Sequence, residues 1–155
     1  MKKAFTMIEL VFVIVVIGIL AMIAIPKFSV TRDDAIITKA KTTVASVRSA
    51  ISSEVQRRIL AGDYTPISSL GGKVNVYDKP IFDYFDSDAN KSRVLEYPPR
   101  SCKNANSKGC WIRSAKSDYK YKFPSSIGGD ATFRVQSNRF DCVSTNKEKC
   151  RLLER

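Results

Sequence analysis

Four cysteines stand at Cys102, Cys110, Cys142 and Cys150, in two pairs of equal spacing within the last third of the chain. Thiols in an even count, without the C-x2-C spacing of a four-cysteine zinc site, point to two disulfides formed in an oxidising compartment. Four cysteines allow three pairings. Local pairing, Cys102 with Cys110 and Cys142 with Cys150, is expected because each closes a short loop. The chain has no histidine, which removes serine–histidine and cysteine–histidine catalysis and every histidine-containing zinc site. No phosphate loop and no pair of catalytic carboxylates is recognisable, so no enzyme is expected.

Two further clusters could bind something. In "DSDANKS", Asp86, Asp88 and Asn90 alternate like the opening of a calcium loop. Lys91 stands where such a loop needs glycine, however, and Tyr97 where it needs a bidentate glutamate. The competing reading is a turn whose side chains satisfy backbone donors. In "DYKYKF", Tyr119, Tyr121 and Phe123 share one strand face while Lys120 and Lys122 share the other. Rings and charges therefore cannot form one nucleic-acid surface, and the aromatic face reads as core. Lys120 and Lys122 could still join Arg113, Lys116 and Arg134 in a patch for DNA phosphates. Trp111, beside Cys110, reads as a core anchor. The net charge of +11 lies mostly outside the first 26 residues and permits polyanionic partners without selecting one.

The elements that must position these groups begin with "KKAFTMIELVFVIVVIGILAMIAIP". Lys2 and Lys3 precede a run of apolar residues that carries one carboxylate, Glu9, and closes at Pro26. Extended back to Phe5, a helix over this run would span ~30 Å, the thickness of bilayer hydrocarbon. The positive-inside bias then predicts a single pass through the inner membrane with the bulk of the chain in the periplasm. A buried carboxylate in such a run is costly and needs a partner. Beyond Pro26, Ile37, Ala40, Val44, Val47, Ile51, Val55 and Ile59 recur every three or four residues, one stripe of a helix that Gly62 should stop. A helix over residues 5–61 would be ~85 Å long, so its first half must project, into lipid or into a filament core, with a bend expected at Pro26. "CWIRSA", "YKYKF", "ATFRV" and "RFDCV" read as short antiparallel strands separated by turn signals such as "GGD" and "SN". The stretch "VNVYDKPIFDYFDSDANKS" has no clear period.

"AFTMIEL", the apolar run and Pro26 resemble the leader and N-terminal helix of type IV pilins and type II secretion pseudopilins. The resemblance covers residues 2–26. It implies a leader at residues 1–4, cleavage by a prepilin peptidase between Ala4 and Phe5, and N-methylation of Phe5. Ala4 departs from the family's usual glycine. A hydrophobic filament-core or transmembrane helix would follow at residues 5–26, then a periplasmic pilin-like head at 27–155. The implied fold is α+β: a long N-terminal hydrophobic helix packed at its C-terminal half on a small antiparallel β-sheet. The implied role is a structural subunit that assembles with copies or relatives of itself through the helix, at an inner-membrane assembly platform. Glu9, matching the family's glutamate, would pair with the new α-ammonium of a neighbouring copy and fix its axial register. A type II secretion pseudopilus is the first expectation. A competence pseudopilus for DNA uptake comes second and a surface pilus for adhesion or twitching third, and a membrane-anchored periplasmic binding module is the reading from another class.

Overall fold

The computed structural model describes residues 6–154, the side-chain surroundings of 23–31 excepted. The processing site at Ala4 and Phe5 lies outside the described residues, as does the side chain of Pro26. The elements run α1 (Met7–Leu60), a short 3₁₀ turn (Phe85–Ser87), β1 (Cys110–Arg113), β2 (Asp118–Lys122), β3 (Asp130–Gln136), β4 (Arg139–Cys142) and α2 (Lys147–Glu154). The chain divides into two compact units, Met1–Ala35 and Ile36–Arg155.

In the first unit, Met7, Ile8 and the large apolar side chains from Leu10 to Met22 are all exposed. Among the described residues no helix is long and apolar enough to cross a membrane. The expected single pass through the inner membrane is corrected on that finding. Glu9 interrupts the apolar run two residues into α1, and a charge within a spanning segment is costly.

The second unit is α+β. Its sheet is an antiparallel meander in the order β1-β2-β3-β4, and the four expected strands all form. β2 alternates as its sequence demands, with Tyr119 and Tyr121 buried and Lys120 and Lys122 on the other face. The β3–β4 hairpin turns on Ser137 and Asn138, at φ 50° and 59°, the left-handed pair that a two-residue loop requires. Against the sheet's aromatic face lies the stripe Ile37, Ala40, Val44, Val47 and Ile51 of α1. Each large side chain so buried contributes about 1.5–3 kcal/mol of transfer free energy. The expected stripe stops early. Val55 is only partly buried and Ile59 is half exposed, while Glu54 and Arg58 take the inward positions.

α1 ends at Leu60, and Gly62 just beyond it is the expected stop. The Asp63 N–H donates to Arg58 O at 2.8 Å and the Gly62 N–H to Ile59 O at 3.0 Å. These are the paired bonds of a Schellman cap, with Gly62 at φ 74°. Residues 63–100 then form an ordered but irregular connection, pinned by Ile67, Leu70, Ile81, Phe82, Phe85 and Val94 in the core. A Cβ on Gly71 would collide with the Asp83 carboxylate and the Tyr84 backbone, so the connection requires glycine there.

The disulfides join Cys102 to Cys110 and Cys142 to Cys150. The second ties β4 to α2, a helix with no counterpart in the sequence expectation. Asn146 caps it by accepting from the Glu148 and Lys149 N–H groups at 3.1 and 3.3 Å. Leu153 seats its last turn in the core. Replacing Cys142 and Cys150 together by serine should cost about 2.5 kcal/mol, the loop-closure entropy of so short a link. Urea unfolding with hydrogen exchange checks this: α2 should lose amide protection while β1–β3 keep theirs.

Candidate functional site

Three groups of polar residues were candidates, and the structure treats each differently. At the start of α1, Glu9 and Thr6 form a reciprocal capping box. The Glu9 N–H donates to Thr6 Oγ1 at 3.3 Å, and Glu9 Oε2 accepts from the Thr6 N–H at 2.9 Å and from Thr6 Oγ1 at 2.8 Å. These Thr6 donors hold the Glu9 carboxyl below the ordinary carboxylate range. The signature was present as T-x-x-E ahead of an apolar run, and reading Glu9 as an assembly residue passed over it.

The cations of the expected phosphate patch are mostly engaged. Arg113 is buried and does not belong to a surface patch. Its Nε donates to Ala115 O and Lys116 O, both at 3.1 Å. Its Nη1 donates to Gly72 O at 2.6 Å and Ser87 Oγ at 2.7 Å, and its Nη2 to Lys116 O. One guanidinium thus holds the β1–β2 turn to the glycine pair and the 3₁₀ turn. Period-two spacing from Trp111 already placed Arg113 on the inward face. Arg134 makes a two-pronged bond to its cross-strand partner Asp118, at 2.7 and 2.8 Å. Lys120 faces Asp130 at 3.0 Å, and Lys122 donates to Ala105 O at 2.5 Å. Lys116 alone of the five makes no side-chain bond or ion pair among the described residues. Acids thus pair with Lys120 and Arg134, while Lys116 and Lys122 pair with none among the described residues.

The calcium candidate resolves into the turn reading. Asp86 Oδ1 accepts from the Ser68 N–H at 2.7 Å and from Ser68 Oγ at 2.9 Å, while its Oδ2 faces Arg58 at 2.7 Å and Lys91 at 3.2 Å. Asp88 Oδ1 accepts from the Asn90 N–H at 3.0 Å. Among the described residues no cluster of three or more acids or cysteines is placed to hold a metal ion.

Asp86 instead terminates a buried ionic chain that sequence reading missed. Arg58 Nε bonds Glu54 Oε1 at 2.8 Å and its Nη2 bonds Asp86 Oδ2 at 2.7 Å. Glu54 also accepts from Arg57 Nη2 at 2.8 Å and from Ser92 Oγ at 2.5 Å. Glu54 and Arg58 are each only 4 % exposed. The one available signal was their i, i+4 spacing on the turn where the apolar stripe should have continued. Burial pushes the Glu54 carboxyl up, but hydrogen bonds from Arg57, Ser92 and Arg58 outweigh it and hold the group at about 2. Burial acts on Asp86 in the same sense, and its Ser68, Arg58 and Lys91 donors hold it far below the carboxylate range.

Both folded-state values are depressed, so the stabilisation is fully present above the unfolded carboxylate range near ~4 and is lost as pH falls through that range toward 2. Glu54→Gln should cost about 3 kcal/mol at neutral pH, because it removes one of the two carboxylates that compensate the buried Arg58. It should also flatten the acid limb of stability. Urea unfolding of both proteins at pH 7, 4 and 2.5 measures this.

No protein-family model matches the chain, and no solved structure matches it. Over 48 residues it is 52% identical to the type IV narrow pilus major component PilA5 of Thermus thermophilus, a stretch that makes up 31% of this chain and 41% of that protein. The chain thus spans less than half the length of this relative. The similarity is partial and covers less than half of either chain.

Proposed function

We propose that the chain is a structural subunit of a pilus-like or pseudopilus-like filament, assembled through the first part of α1. The observation that carries this reading is the partial identity to a type IV pilus component. The continuous exposed apolar side chains at the start of α1 support it, since such a surface is normally covered by a partner. In this reading a prepilin peptidase removes residues 1–4, Phe5 becomes the methylated amino terminus, and residues 27–155 form the head. Secretion is the preferred service of the filament. The DNA-uptake alternative keeps the net charge of +11, but of its named cations Arg113 is buried and Lys120 and Arg134 are paired with acids.

Glu9 then has two roles to separate: capping its own helix and pairing with the α-ammonium of a neighbouring copy. Glutamine keeps the capping box but not the charge. In the native host, Glu9→Gln should leave the chain processed and abundant, with assembled filament in the sheared fraction reduced at least about tenfold, the loss expected when a desolvated charge loses its partner. Wild-type filament yield from Glu9→Gln would reduce Glu9 to a helix cap and remove the pairing.

A further inference from the structure

Of the six asparagines in the chain, one begins an N-x-S/T triplet, Asn90-Lys91-Ser92. Such a triplet is the acceptor signature for N-linked glycan transfer on surface loops of exported proteins. It is also short enough to arise by chance, and the fold bears on which case this is. Asn90 lies in an exposed turn. The Lys91 N–H closes that turn by donating to Asp88 O at 3.0 Å, and the Asn90 N–H donates to Asp88 Oδ1 at 3.0 Å. Asp88 therefore shapes the turn, while the Asn90 side chain makes no hydrogen bond among the described residues. Nor is Asn90 left-handed, the backbone conformation that most often calls for asparagine. Asn104, Asn138 and Asn146 differ. Each accepts from a backbone N–H, that of Asn106 at 3.0 Å, Ile67 at 2.8 Å and Glu148 at 3.1 Å. The fold uses those three amides and has no structural use for that of Asn90.

Two further observations bear on when and where the triplet could be read. Both disulfides form in an oxidising compartment, the setting in which exported chains meet glycan transfer. Ser92, whose hydroxyl a transferase must recognise, is half-buried, and that hydroxyl donates to Glu54 Oε2 at 2.5 Å. In the folded head it is already engaged. The triplet must therefore be read before residues 63–100 seat on α1. Seating then draws Ser92 into the ionic chain and leaves Asn90 outside.

We propose that Asn90 is an N-glycosylation site, modified before the head folds. Asn90 Nδ2 attacks the anomeric carbon of an oligosaccharide carried on a polyprenyl diphosphate. A C–N bond forms as the C–O bond to the diphosphate breaks. The diphosphate leaves with the electron pair, and Nδ2 gives one proton to a base of the transferase. The glycan then projects from the turn, and the Asn90 side chain gives up no hydrogen bond of the described head in carrying it. This assignment does not depend on the filament reading.

The full chain, isolated from its own host, is digested with trypsin, and peptide 74–91 is sequenced by electron-transfer fragmentation. An oligosaccharide mass should sit on Asn90. Asn90→Gln and Ser92→Ala should each lose it completely, whereas Ser92→Thr should keep it, because threonine also completes the triplet. Threonine keeps a hydroxyl for Glu54 as well, so the head of this variant should fold. Wild-type peptide recovered without the added mass overturns the proposal. So does a glycan that persists in Ser92→Ala, or one located on Asn75 or Ser87 of the same peptide.

Discussion

The Arg58 guanidinium is the constraint on which the head depends. It sits in the interior at the end of a helix stripe that is aliphatic from Ile37 to Ile51, and it joins Glu54 on its own helix to Asp86 on the irregular connection. An isolated charge at that depth would be very unfavourable, and the structure answers with two carboxylates that carry donors of their own from Ser92 and Ser68. The stripe thereby changes from non-directional to directional contact within two turns. Aliphatic contact alone would let residues 63–100 slide along the helix, whereas an arginine with fixed partners admits one seating. That seating brings Ser87 and the glycine pair to Arg113, and Leu70 and Gly71 to the Tyr119 hydroxyl. This hydroxyl accepts from the Leu70 N–H at 2.8 Å and donates to Gly71 O at 2.9 Å. Burial pushes it up to about 12, so it stays protonated as a donor.

The other boundaries of the head follow the same logic of few but fixed contacts. Arg48 Nε donates to Phe140 O at 2.9 Å and its Nη2 meets Glu154 at 2.6 Å, so α1 touches β4 and α2 through one side chain. The Cys142–Cys150 link holds α2 where Leu153 can reach the core. An eight-residue helix would be marginal by itself, and here a cap, a disulfide and one leucine suffice.

What was legible in the sequence was whatever is local and periodic. The strands at "YKYK" and "ATFRV" alternate with period two, "CWIR" and "RFDC" are β-rich runs bounded by turn signals, the stripe of α1 has period three to four, and Gly62 stops it. The local cysteine pairing follows from loop length. What was hidden depends on partners far along the chain. Glu54 and Arg58 look like surface charges until Asp86 and Ser92 arrive from the connection, and Arg113 looks like a free cation until Gly72 and Ser87 do. The connection itself was unreadable because its shape rests on left-handed backbone at Asn75, Asp78, Phe82, Asp86 and Ser87, conformations that no period announces. The membrane span was expected from an apolar run counted back through Glu9, whereas among the described residues no helix is long and apolar enough to cross a membrane.

The functional account joins two halves of one helix: the second is buried against its own sheet, and the first keeps its apolar side chains exposed. Its central claim is that the chain is processed so that Phe5 begins the mature subunit and supplies Glu9 with an ammonium partner. The intact mass of the protein isolated from its own host tests this most directly. The account predicts a chain lacking Met1 to Ala4, carrying one methyl group and two disulfides. A full-length, unmethylated chain would contradict it and leave Glu9 as a helix cap alone.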